Sequence, residues 1–140
     1  YKVIDSAIKP LLDDKNLKVS TIATKYIGNL KDKNKVKVVF DNNHDAMYFS
    51  RSVIPFNFKR TVGTEYYKHI GLYVYRKDFL LKFSKSRQTK IEKAENLEQL
   101  RILSMGEKIK IVITKKDSLS IDTISDYNKA KKQVKGKTLK

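Results

Sequence analysis

Six side chains carry the chemistry that this sequence offers: Arg51, His69, Tyr73, Glu98, Gln99 and Asp122. Arg51 ends the run Ala-Met-Tyr-Phe-Ser (46–50) and leads into a stretch containing Pro55. A guanidinium leaving a strand there could grip a carboxylate through two parallel hydrogen bonds, and it equally fits a surface arginine. His69 and Tyr73 lie in His-Ile-Gly-Leu-Tyr-Val-Tyr (69–75), where period-two alternation groups His69, Gly71, Tyr73 and Tyr75 on one face. Ile70, Leu72 and Val74 share the other face and suit a core. On the polar face, Gly71 leaves a notch between an imidazole and a phenol that fits a small polar ligand. The alternative is an aromatic face covered by a helix, with His69 bonded to a backbone group.

Glu98 and Gln99 belong to a segment with helical periodicity. At about 100° per residue, Ile91, Ala94, Leu97, Leu100, Ile102 and Met105 share one face. Glu92, Glu95, Asn96 and Gln99 fall largely outside it, whereas Glu98 and Arg101 point inward. An inward carboxylate is costly unless a cation or hydrogen-bond donors meet it. An i, i+3 pair with Arg101 would serve, and so would a hydroxylated ligand held by Glu98 with Gln99. Asp122 stands between Ser-Leu-Ser-Ile (118–121) and a final helix. A carboxylate in that position can be an oxygen ligand for a hard cation such as Mg²⁺ or a helix cap.

The elements that must hold these groups follow from pattern. Residues 3–12, with Pro10 inside, read as a short helix ending in a turn at 13–16. The β-branched run 19–27 reads as a strand, and 36–40 and 46–50 as a hairpin around a five-residue turn. A loop over 53–66 precedes the strand 69–75, then a helix from 77 to about 83. Residues 91–105 predict one long helix stopped by Gly106 at the C′ position. Residues 108–114 predict a strand with Ile109, Ile111 and Ile113 on one face, and 122–134 a last helix. Strands alternating with helices imply a single α/β domain over residues 1–134, with a frayed basic tail at 135–140.

Composition narrows the function. The 140 residues are 40% hydrophobic and 33% charged, as expected of a globular chain. Without cysteine there is no thiolate zinc site and no cysteine nucleophile, which suits a reducing cytoplasm. Two histidines exclude a multi-histidine metal centre, and the five scattered glycines supply no phosphate-cradling loop. No apolar run is long enough to span a membrane. The net charge of +16 would attract phosphate-bearing partners. However, 26 lysines against five arginines, dispersed along the chain, fit a solvated surface better than specific nucleic-acid readout. A non-catalytic basic module that coats nucleic acid is the rival reading.

Five segments in order carry a family resemblance. They are Val-Lys-Val-Val-Phe-Asp (36–41), Ala-Met-Tyr-Phe-Ser-Arg-Ser-Val-Ile-Pro (46–55), Tyr-Lys-His-Ile-Gly-Leu-Tyr-Val-Tyr-Arg (67–76), Ile-Glu-Lys-Ala-Glu-Asn-Leu-Glu-Gln-Leu-Arg (91–101) and Ile-Asp-Thr (121–123). The series resembles 3-deoxy-manno-octulosonate (Kdo) cytidylyltransferase, the CMP-Kdo synthetase of Gram-negative bacteria, over roughly the C-terminal half to three-fifths of that enzyme.

The resemblance implies an incomplete nucleotide-diphospho-sugar transferase (Rossmann-like) fold with a mixed sheet and flanking helices. It also implies a cytoplasmic homodimer that couples CTP to Kdo with Mg²⁺, releasing pyrophosphate, for lipopolysaccharide biosynthesis. Carried over by position, Arg51 would hold the sugar carboxylate, His69 and Tyr73 would line its pocket, and Glu98 and Gln99 would bind hydroxyls. Asp122 would be a metal ligand, and no residue is marked as catalytic. The family's CTP-binding loop and its other metal aspartate are missing from these residues, and Ser125 departs from the family's usual Pro or Glu. The 140 residues alone are therefore expected not to turn over CTP.

Overall fold

The computed structural model describes residues 2–115 and, after them, residues 124, 127, 128, 130 and 131. Its most completely buried strand is β1 (Val19–Lys25), buried at every position but the last. Its run of small and β-branched side chains before a terminal lysine suits a strand covered on both faces. β1 pairs antiparallel with β4 (Tyr67–Tyr75) and parallel with β5 (Ile109–Thr114). The hairpin of β2 (Lys37–Phe40) and β3 (Ala46–Ser50) completes a mixed sheet of order β3-β2-β4-β1-β5.

α1 (Lys2–Asp13) lies on one face of the sheet, packed on β1, β4 and β5 with Ala7 and Leu11 buried. The hydroxyl of Ser20 in β1 donates to the Ala7 carbonyl. Arg76 donates to the carbonyls of Leu11, Asp14 and Leu17, where the helix end offers unpaired acceptors and a partial negative charge. On the opposite face, α2 (Lys77–Ser84), α3 (Lys90–Glu95) and α4 (Gln99–Ser104) enclose the main core. There Phe79 and Phe83 of α2 and Leu97, Leu100 and Ile102 meet Val19, Ala23, Phe49, Ile109 and Ile111 of the sheet.

Three expectations change. The long helix over 91–105 is two short helices. α3 opens on a capping box between Thr89 and Glu92 and closes at Asn96, which adopts the left-handed conformation with φ 52°. That break resets the helical phase. Ile91 and Ala94 are exposed, Glu98 is exposed at the N-cap of α4, and Glu92 and Gln99 are buried instead. The expected stop is met: Gly106, at φ 75°, gives its N–H to Leu103 while Glu107 reaches Ile102, closing α4.

The second change concerns β4, whose aromatic side faces the main core. Tyr73 and Tyr75 pack on that cluster, and Ile70, Leu72 and Val74 are only half-buried on the α1 side. The phenylalanines of α2, at spacing i, i+4, stack on Tyr75 and so select the aromatic side. Third, Ile113 does not share the burial of Ile109 and Ile111; it is 38% exposed near the end of the sheet's edge strand. Most of the predicted last helix, Asp122 within it, and the basic tail lie outside the described residues.

Candidate functional site

The candidate residues gather where β3 ends, where α3 turns into α4, and on the aromatic face of β4. Arg51 is held at every backbone and side-chain position. Its N–H donates to the Glu95 carboxylate at 2.9 Å, and its carbonyl accepts from Lys37 at 2.5 Å. Its guanidinium donates from Nε to the Glu95 carbonyl at 2.8 Å, and from the two terminal nitrogens to Lys33 and Asn96 carbonyls at 2.9 and 3.2 Å. These acceptors include the last carbonyls of α3, so the arginine caps that helix. Of its five N–H groups three are spent, one on each nitrogen, leaving one on each terminal nitrogen.

Glu95 secures the junction from the other side. Its carboxylate also accepts from the Ser50 hydroxyl at 2.6 Å and the Tyr48 phenol at 3.4 Å. Burial pushes its pKa up, but the Ser50 hydroxyl and the Arg51 amide outweigh this and hold it below the usual carboxylate range. Lys37 is fully buried and gives its remaining protons to the carbonyls of Asp32 and Lys35. Burial lowers its pKa against the opposing pull of Asp32 and Glu95. Helical periodicity assigned Glu95 to the outside, so sequence reasoning missed it.

Behind this junction, the buried Glu92 carboxylate lies 3.0 Å from Nε of Arg101. Arg101 also donates to the Ser86 carbonyl at 2.8 Å and lies over the Phe83 ring at 4.4 Å. The inward ion pair is thus Glu92 with Arg101, not Glu98 with Arg101.

The β4 face is built differently. His69, Tyr73 and Tyr75 stand opposite Ala23, Thr21 and Val19, and the register slips between Thr21 and Ile22 so that Gly71 and Leu72 bulge out of the pairing. His69 packs edge-on to Phe49, at 5.1 Å between centroids, and against Tyr73 at 5.3 Å. Its Nε2 is 2.9 Å from the Thr21 hydroxyl, so its partner is a side chain rather than the expected backbone group. Burial lowers its pKa to about 4, which keeps the imidazole neutral at pH 7. Gly71 is exposed, and a side-chain carbon there would meet nothing within 4 Å, so the expected notch is open rather than walled.

Tyr73 and Tyr75 stack at 5.7 Å. Burial, then the neighbouring Tyr75 and Glu98, pushes the Tyr73 pKa well up. Burial and then Glu98 push Tyr75 up to about 12. Among the described residues, neither phenol hydroxyl makes a hydrogen bond, nor does Nδ1 of His69 or the side-chain amide of Gln99, and none of these atoms is sealed from solvent. Polar ends left without protein partners on a part-buried face are what a ligand-binding surface offers. Tyr75 joins the set although sequence reasoning chose only Tyr73; its i+2 position was the available signal.

Glu98 and Gln99 line an adjoining cleft of about 480 Å³ with Gln88, Asn96 and Arg101. Arg51, His69 and Tyr73 do not line it; Arg51 reaches its rim through Asn96, and Tyr73 senses the Glu98 charge. The structure therefore brings five of the six candidates to one region, in two adjoining parts. The sixth, Asp122, lies outside the described residues. Among the described residues, no group of three or more carboxylates or histidines could hold a metal ion.

A mixed five-stranded sheet with one helix on one face and three on the other defines an α/β domain. A family model described as cytidylyltransferase matches residues 1–109, and the chain belongs to that family.

Its relatives include 3-deoxy-manno-octulosonate cytidylyltransferases. The one from Fusobacterium nucleatum is 39% identical over 100% of this chain and 58% of its own length. The one from Geobacter metallireducens is 43% identical over 91% of this chain and 55% of its own. Among solved structures, CMP:2-keto-3-deoxy-manno-octonic acid synthetase complexed with CTP superposes with a TM-score of 0.90. It is 30% identical and covers 97% of this chain and 56% of that one. The fold class expected from the sequence is therefore observed. The chain spans somewhat over half the length of these relatives.

Proposed function

We propose that the chain is the sugar-acid-binding part of a cytidylyltransferase that joins Kdo to CTP, giving CMP-Kdo and pyrophosphate for lipopolysaccharide biosynthesis. The observation that carries this reading is the set of unpartnered polar groups on β4 and α4, in a chain about 40% identical to enzymes of that name. A sugar acid has a carboxylate and several hydroxyls to satisfy. The two free N–H groups of Arg51 suit the carboxylate. The Tyr73 and Tyr75 phenols, neutral His69, Gln99 and the Glu98 carboxylate suit the hydroxyls.

In this reading the anomeric hydroxyl of the bound sugar attacks the α-phosphorus of CTP and pyrophosphate leaves. The residues described here would act by fixing and orienting the sugar, which is the main source of rate in such displacements. Mg²⁺ would offset charge on the phosphate oxygens when bound, with Asp122 as one of its ligands. The enzyme would work in the cytoplasm as a homodimer. Residues 1–134 would form the domain portion and 135–140 a basic tail.

Isothermal titration with Kdo tests the site. Arg51→Ala is expected to weaken Kdo binding at least tenfold, the effect of losing a charge-assisted pair of hydrogen bonds. Unchanged affinity in a folded variant would remove Arg51 from the site. In a pyrophosphate-release assay the 140 residues alone are expected to be silent. Tight, steeply salt-dependent binding to DNA or RNA with no response to Kdo would favour the rival basic-module reading.

A further inference from the structure

The hydroxyl of Thr21 is fully buried within the sheet, and its surroundings fix where its single proton must be. It lies 2.8 Å from the Leu72 carbonyl, 3.4 Å from the Ile70 carbonyl and 2.9 Å from Nε2 of His69. A carbonyl can only accept. Two oxygens held 2.8 Å apart without a proton between them repel, so the hydroxyl proton must point at Leu72. Towards His69 the hydroxyl is then an acceptor, and the short contact to Nε2 requires the ring proton to sit on Nε2. Nδ1 is thereby left bare. Among the described residues it has no partner, and it is not sealed from solvent. The bulge at Gly71 and Leu72 creates this geometry, because it brings the Leu72 carbonyl back onto a residue that pairs with Tyr73.

We infer that Thr21 is a positioning residue that locks His69 in the Nε2–H tautomer, so that Nδ1 is presented as a hydrogen-bond acceptor for a ligand hydroxyl. This rests on the sugar-acid reading for the nature of the ligand but not for the tautomer. A bare Nδ1 repels carboxylate and phosphate oxygens and welcomes a donor. It therefore divides the ligand between Arg51, which takes the anionic group, and His69, which takes a neutral hydroxyl.

Long-range ¹H–¹⁵N correlation spectra of the 140-residue chain, which has only two histidines, read the tautomer directly. Without ligand, His69 is expected to show a protonated Nε2 and an unprotonated Nδ1; a protonated Nδ1 would overturn the inference. Thr21→Val removes the acceptor and is expected to release the ring into a tautomer mixture, while Thr21→Ser preserves the original spectrum. A Thr21→Val ring locked as before would also overturn it. Adding Kdo is expected to move the Nδ1 resonance, with affinity about tenfold weaker in Thr21→Val and within about twofold in Thr21→Ser. Backbone shifts at Arg51 and Glu98 with a stationary Nδ1 would refute the hydroxyl assignment. No shifts anywhere would count against the sugar-acid reading, with the tautomer already decided by the ligand-free spectra.

Discussion

Two neighbouring regions treat their polar groups in opposite ways. At the junction of β3 with α3, Arg51, Glu95 and Lys37 satisfy one another and the surrounding carbonyls, and behind it Glu92 meets Arg101. On the aromatic face of β4, the Tyr73 and Tyr75 hydroxyls have no protein partner among the described residues. The first region has most of its interaction energy committed to folding, with only two N–H groups of Arg51 left over. The second leaves part of it for something that binds. A residue's type therefore does not decide its role here: Glu92, Glu95 and Glu98 lie within seven positions of one another, yet Glu92 and Glu95 tie helices down, and of the two that line the cleft Glu92 is buried against Arg101 while Glu98 is exposed.

The contrast is broken most severely at Glu92. Its carboxylate both completes the α3 capping box and lies against a largely buried Arg101. Glu92→Ala removes one partner and strands the other, for which about 3–5 kcal/mol is the expected loss. Urea unfolding would measure it; a loss below about 1 kcal/mol would mean that the pair is solvated in practice and the junction is not a structural clamp.

A somewhat smaller effect should come from His69, and it depends on pH. Burial lowers its pKa to about 4 in the folded chain, against 6.5 for an exposed imidazole. Above pH 6.5 both folded and unfolded forms are neutral. Between 6.5 and 4 the unfolded chain takes up a proton that the folded chain refuses, so stability falls as pH falls through that window. The full difference is about 3 kcal/mol. Because carboxylates also titrate at the lower end, the measurement is the gap between the parent chain and His69→Phe, followed from pH 7 to 4. Parallel curves would show that burial does not depress this histidine.

The strands and their hairpin were legible because alternation and β-branching report on the backbone directly, and Gly106 marked a helix end that its φ of 75° bears out. The break at Asn96 was not legible. A left-handed asparagine is a one-residue event, and Leu97 and Leu100 fit an apolar face in either helical phase, so periodicity ran straight through it. Alternation also grouped His69, Tyr73 and Tyr75 correctly but could not say which side of β4 faces the core. Phe79 and Phe83 of α2 decide that, ten or so positions away in sequence. For Arg51 the sequence pointed to a cation at a strand end. Only the packed structure shows that two of its five guanidinium donors are taken by the end of α3 and a third by Lys33.

The smallest stability effect, and the sharpest test of the comparison, lies in the two phenols. Tyr73→Phe and Tyr75→Phe each delete a hydroxyl that bonds nothing in the described protein while keeping a ring that packs on the core. If these hydroxyls serve a ligand, stability should change by less than about 0.5 kcal/mol, because no internal hydrogen bond is lost. Affinity for Kdo should meanwhile fall about fivefold to tenfold for each. The opposite pattern, a destabilised chain with unaltered binding, would place the phenols with Glu95 as parts of the framework. Stability and affinity must therefore be measured on the same variants, since either alone leaves the two kinds of region indistinguishable.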